Sequence, residues 1–116
     1  MGKMPKSRLE VLEDARDILD KPEHWTQGAF ARDLDGSPIS ATCCKAVCFC
    51  LAGAFIKAGD GADTKNIYRL AMRVFPNDQR LFSSLNDFST HAEVLAYLDA
   101  LIEFERVDSY DTSWEL

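Results

Sequence analysis

The run Ala46-Val47-Cys48-Phe49-Cys50-Leu51-Ala52-Gly53-Ala54-Phe55-Ile56-Lys57-Ala58 decides the fold. It is apolar on every side except Lys57, and a helix without a polar face has to be surrounded by protein. Thirteen residues at about 1.5 Å each reach roughly 20 Å, too short for a bilayer. The spacing therefore predicts a central buried helix over about 46–58. Its small residues Ala52, Gly53 and Ala54 let neighbours approach closely, and Gly59, ahead of Asp60-Gly61, is placed to take the left-handed conformation that ends helices.

Towards the N-terminus, Leu9, Leu12, Ala15, Ile18 and Leu19 repeat at helical spacing between about Ser7 and Asp20. Ser7 and Glu10 have the spacing of a capping box, in which each side chain satisfies the other's backbone N–H. Lys21-Pro22 ends that helix, Pro22 opens a short turn through His24, and Trp25 anchors the core. Residues 26–40 read as a small β-hairpin around the turn Asp33-Leu34-Asp35-Gly36, held against the helices by Phe30 or Ile39. On the other side, Ile67, Leu70, Ala71, Val74 and Phe75 form the buried stripe of a helix from Asp63 to Phe75, which Pro76 stops. A last helix starts at Thr90, where Glu93 makes a second capping box, and runs to about Arg106. The expected architecture is mainly α: four helices and a hairpin in one domain, 1–116, with an ordered core at about 7–106 and flexible ends at 1–6 and 109–116.

Composition narrows the function classes. A chain of 116 residues with 47% hydrophobic content can bury a single core. Its formal charge of -6 disfavours a sequence-independent grip on nucleic acid. The acidity is local, because Asn86 to Leu116 holds eight carboxylates against Arg106 alone. Neither a membrane-spanning run nor the apolar stretch of a signal peptide is visible, so the reading is a cytoplasmic protein. Cys43, Cys44, Cys48 and Cys50 crowd into eight residues, too close to staple distant segments, and are expected as reduced thiols.

These cysteines are also the first candidates for chemistry. Cys44 and Cys48, four residues apart, could offer two metal ligands with His24 or His91 completing the set, but no paired C-x-x-C framework is present. Cys43 or Cys44 at a helix start would gain thiolate character, with His91 as base and Asn86 or Asp87 as its orienter. The simpler role for thiols is as small apolar filler, above all for Cys48 and Cys50. Asp33-Leu34-Asp35-Gly36 resembles part of a calcium loop but lacks the closing glutamate, and a β-turn explains it. Asn86-Asp87 would bind back to backbone amides where the Pro76–Ser89 connection enters the last helix. Lys65, Arg69 and Arg73 form a basic stripe opposite their helix's buried face, while the acidic residues further on could imitate nucleic acid towards a basic partner.

Three blocks carry a resemblance: W-T-Q-G-A-x-A-R-D from Trp25 to Asp33, C-x-C-x-x-G-A from Cys48 to Ala54, and N-D-x-x-T-H-x-E-V-L from Asn86 to Leu95. Over about residues 7–106 the chain resembles a family of small bacterial and phage-borne proteins of unknown function. The resemblance implies a stand-alone domain and no activity. The leading expectation is thus a non-enzymatic interaction or regulatory module without a cofactor, in one form an acidic phage-type inhibitor. Its partner is another protein rather than nucleic acid or a membrane, and a homodimer is left open. The surface assigned to that partner comprises Lys65, Arg69, Arg73, Glu93, Asp99 and Glu103. Structural roles fall to Trp25, Gly28, Gly36, Cys48, Cys50, Gly53, Gly59 and Thr90. The competing readings are a cysteine-dependent enzyme using Cys43 or Cys44 with His91, and a zinc-binding module.

Overall fold

Ser7 opens the first helix as its spacing predicts: Ser7 Oγ accepts the Glu10 N–H at 3.1 Å, and Glu10 Oε1 accepts the Ser7 N–H at 2.8 Å. Helix α1, Arg8–Ile18, buries Val11, Leu12 and Ala15, and Leu19 is buried just beyond it. A single 3-10 turn, Pro22–His24, follows with proline at its start. The structure, a computed structural model, describes residues 6–59 and 64–111. The expected flexible ends therefore fall mostly outside the described residues, although Lys6 is tied to Asp14 at 2.8 Å and to the Ala58 carbonyl at 2.6 Å.

The hairpin pairs β1, Ala31–Arg32, with β2, Pro38–Ile39, in antiparallel register Ala31↔Ile39. Asp33 Oδ1 accepts the N–H groups of Asp35 and Ser37, and Gly36 sits at φ +82°, so the acidic turn is held by its own backbone. Ile39 packs against the core as expected. Phe30 does not: it is 52% exposed, and the fully buried residue of the hairpin is Ala31.

The predicted start of the central helix is corrected. Residues 48–49 form a third strand, β3, on the other edge of β1, with Ala31↔Phe49 and sheet order β2-β1-β3. Val47 N–H donates to the Arg32 carbonyl and Cys50 N–H to the Phe30 carbonyl. Two short strands alone are marginal in water, and a run of Val, Phe and Cys suits an extended backbone that satisfies the open edge of β1. The helix, α2, is therefore only Leu51–Ala58. Its burial is as predicted, with Leu51, Gly53, Ala54, Phe55 and Ala58 all enclosed. Val47, by contrast, is exposed, while Cys48 and Ile56 are half-buried. Gly59 is corrected too: it closes α2 at φ −89°, donating its N–H to the Phe55 carbonyl without entering the left-handed region.

Helix α3, Lys65–Val74, buries Ile67, Leu70 and Ala71; its predicted first residue, Asp63, lies outside the described residues. The Pro76–Ser89 connection contains a helix that the spacing does not announce, α4, Phe82–Asp87, which buries Phe82, Leu85 and Asn86. Six residues are too few to be helical on propensity, so packing supplies its stability. Helix α5, His91–Asp111, begins at the Thr90–Glu93 box and continues past Arg106. The described helices thus number five, where four are predicted.

Helix α2 packs between α1 and α4, and α5 closes over α1 and α3. Phe55 and Phe82 meet edge to face at 4.9 Å, and Phe75 stacks on Tyr97 at 4.9 Å. At the rim, Arg8 grips Glu105 through two bonds and Arg16 reaches Asp99 at 2.8 Å, clasping α1 to α5. The result is one mainly α domain with a three-stranded sheet at its side. Among the described residues no helix is long and apolar enough to cross a membrane.

Candidate functional site

The three sequence blocks meet at one side chain. Asn86, on the last turn of α4, is fully buried, and an amide there costs free energy unless all its hydrogen-bonding atoms find partners. They do. Asn86 Oδ1 accepts the Trp25 indole N–H at 2.6 Å and the Leu51 backbone N–H at 3.0 Å; Nδ2 donates to the Thr26 carbonyl at 2.9 Å and to Asp87 Oδ1 at 3.3 Å. The Leu51 N–H is one of the unpaired donors at the start of α2. Cys50 satisfies another, its sulfur accepting the Gly53 N–H at 3.3 Å. Gln27 Nε2 then spans the carbonyls of Asn86, Asp87 and Ser89, and Asp87 Oδ1 accepts the Gly28 N–H at 3.0 Å. Gly28 stands at φ +81°, a backbone that side chains disfavour. Arg32 completes the node by binding Thr26 Oγ1 and the carbonyls of Gln27 and Gly36.

This arrangement corrects the expected role of Asn86 and Asp87. Neither caps α5, whose first turn is closed by Thr90 and Glu93. They belong to α4 and tie it to the Trp25–Gly28 segment, about sixty residues away in sequence, and to the start of α2, 35 residues away. Gly53 belongs to the same junction: a Cβ there would lie 1.9 Å from the Phe30 carbonyl oxygen. The small-residue expectation for α2 thus has a specific neighbour.

The four thiols sit in different surroundings. Cys43 and Cys44 occupy a turn ahead of β3, so the helix dipole invoked for them starts seven residues beyond Cys44. Cys43 is half-buried, Cys44 exposed, Cys48 half-buried and Cys50 buried, all four as unbonded thiols. Burial pushes the Cys50 thiol up from its ordinary range, more than the N–H groups of Gly53 and Ala52 pull it down. His91 lies against Trp25 with ring centres 5.6 Å apart, and its Nε2 is 2.6 Å from the Leu19 carbonyl. His24 is exposed in the 3-10 turn. Among the described residues no group of three or more His, Cys, Asp or Glu side chains is placed to hold a metal ion.

The charged candidates divide. Glu93 serves the α5 cap. Asp99 pairs with Arg16, and Glu103 is exposed on the same helix. The basic stripe on α3 splits: Arg73 lies over the Phe104 ring at 5.3 Å, whereas Lys65 and Arg69 turn to another surface.

That surface is a groove of about 470 Å³. It is lined by Ala52 and Ile56 of α2, by Thr64, Lys65, Tyr68 and Arg69 at and within α3, by Leu81, Phe82 and Ser83 at the start of α4, and by Phe30. Tyr68 is fixed there by its hydroxyl, which donates to the Gln79 carbonyl at 2.7 Å. Phe30 and Leu81 are 52% and 67% exposed. Sequence reasoning places none of Phe30, Ile56, Tyr68, Leu81 or Phe82 in a site, since the groove joins three helices and a loop that no local pattern connects.

Residues 4–104 match the model of a family of unknown function, DUF6197. No curated protein and no solved structure matches the chain.

Proposed function

The chain belongs to that family of unknown function, which lends it no activity, and we propose that it is a non-enzymatic protein–protein interaction module whose partner docks in the groove between α2, α3 and α4. The observation that carries this reading is the groove itself. Concave apolar surface with a few charged groups at its edge is where binding energy concentrates. Here two large apolar side chains, Phe30 and Leu81, stand exposed at its margin. The polar residues with chemical potential, Asn86, Asp87 and Gln27, are instead consumed by bonds within the fold.

The charge-mimic form of the idea gets less support. A mimic needs carboxylates turned outward to a basic groove, and Glu13, Asp14, Asp20, Asp99 and Glu105 already face cations of their own chain. Four unbonded thiols suit a reducing compartment, which supports a cytoplasmic setting.

A photo-crosslinking residue in place of Leu81, and separately in place of Leu34, tests the docking reading in lysate of the producing cell. Leu34 is 89% exposed and lies outside the groove. Discrete protein adducts from position 81 that are missing from position 34 are expected. The same pattern from both positions, or none from either, would count against docking at this site.

A further inference from the structure

Resting on that docking reading, we infer that the occupant is a second copy of this chain, which meets the first along α4 with the two helices antiparallel. Both halves of such an interface lie on this one element. Leu81 and Phe88 flank α4, the first bordering the groove and the second 81% exposed. A span of two helical turns separates them, so they share one side of α4 and stand about 10 Å apart along it. Ser84, between them, is exposed and small, which lets a second helix approach.

A protruding ring and an apolar recess on one face make that face self-complementary. A two-fold axis beside Ser84 sets Phe88 of each copy against Leu81 and the groove of the other, so both contacts form together and the pair closes. A ring and a recess on remote faces would instead propagate an open chain. The direction follows from the same placement, because the groove adjoins the start of α4 and Phe88 follows its end.

The exposed area suits a dimer. An aromatic side chain carries about 150–250 Å², so Phe30 and Phe88, 52% and 81% exposed, alone leave roughly 250 Å² of ring in water. That is about a third of the ~800 Å² each partner gives to a stable interface, and Leu81 and the rest of the groove lining add to it. The formal charge of -6 does not gather at this face. Glu13, Asp14, Asp20, Asp99 and Glu105 face cations along α1 and α5, neither of which lines the groove.

Sedimentation velocity of the full chain from about 1 to about 300 µM tests the inference. A monomer–dimer equilibrium is expected, weakened about tenfold or more by Phe88→Ser and by Leu81→Ser. Leu34→Ser, outside the groove and equally open to solvent, should leave it unchanged. Both test side chains are exposed, so serine spares the core, with circular dichroism as the check on folding. A photo-crosslinking residue at position 81, mixed with an isotope-labelled copy, gives a second readout: its adducts should map to the labelled peptide that holds Phe88.

A monomer throughout that range, a dimer indifferent to both substitutions, or adducts that map away from Phe88 would overturn the inference. If position 81 then still captures another protein in lysate, the docking reading survives; if it captures nothing, both fall.

Discussion

Trp25 and Asn86 stand 61 residues apart in the chain and are joined by a 2.6 Å hydrogen bond from the indole N–H to Oδ1. The same oxygen holds the first N–H of α2, so one buried amide fixes the loop before the sheet, the central helix and α4 together. Asn86→Ala strands the Trp25 and Leu51 donors and the Thr26 carbonyl at once. At roughly 1–3 kcal/mol for each buried group left unmade, the loss in urea unfolding should be about 3 kcal/mol or more. Trp25→Phe leaves Oδ1 one remaining donor and should cost less, about 1–2 kcal/mol. An Asn86→Ala variant within about 0.5 kcal/mol of the parent would show that the node does not hold the fold.

Gly53→Ala puts a methyl group 1.9 Å from the Phe30 carbonyl oxygen, a contact relieved only by shifting backbone that also accepts the Cys50 N–H. The expected cost exceeds about 3 kcal/mol, above the usual range for an overfilled core, because no flexible side chain can yield. Ala52→Gly, one residue earlier, should cost about 1 kcal/mol through helix propensity. Thermal melts by circular dichroism compare the two. Equal melting temperatures would refute the close approach.

Much of this fold is legible before the coordinates. The Ser7–Glu10 and Thr90–Glu93 boxes, the stop at Pro22 and the α3 stripe are local signals, and both boxes are satisfied by atoms within one turn. The failures come from contacts made at long range. A short apolar run has no period that separates strand from helix, and 47–50 becomes extended because β1 offers an edge. Asn86 carries the letters of a helix cap, yet its partners other than the adjacent Asp87 lie 35 to 61 residues away. The groove was hidden for the same reason: Lys65 and Arg69 are visible as a stripe, but their apolar counterparts come from 52–56, 81–82 and Phe30.

Thiol reactivity should follow exposure and not sequence crowding. Cys44 is exposed, whereas Cys50 is buried, caps α2 and is held above its ordinary titration range by desolvation. Since only the thiolate reacts, native iodoacetamide labelling near pH 8 followed by peptide mass mapping should modify Cys44 readily and leave Cys50 intact. Labelling of Cys50 should appear only with denaturant or at distinctly higher pH. Rapid modification of any of the four well below pH 8 would revive the cysteine-enzyme reading, because it would reveal an activated thiolate.

Tyr97 makes the fold sensitive to alkali. Its ring is stacked on Phe75 and meets Phe82 edge-on at 6.5 Å. Burial, followed by the negative charge of Asp78 and the proximity of Tyr68, pushes the phenol from 10.0 up to about 12, against a smaller opposing pull from Arg80. The folded state therefore keeps the proton that the unfolded chain gives up, and between those two values the native protein binds more protons than the unfolded one. By linkage, stability falls as pH rises through that interval and is unaffected by this group below it. Urea midpoints measured at pH 9, 10.5 and 11.5 should decline more steeply for the parent than for Tyr97→Phe, which has no proton to lose. Parallel declines in the two proteins would mean that the phenol titrates alike in both states, and that the contacts with Phe75 and Phe82 do not shield it.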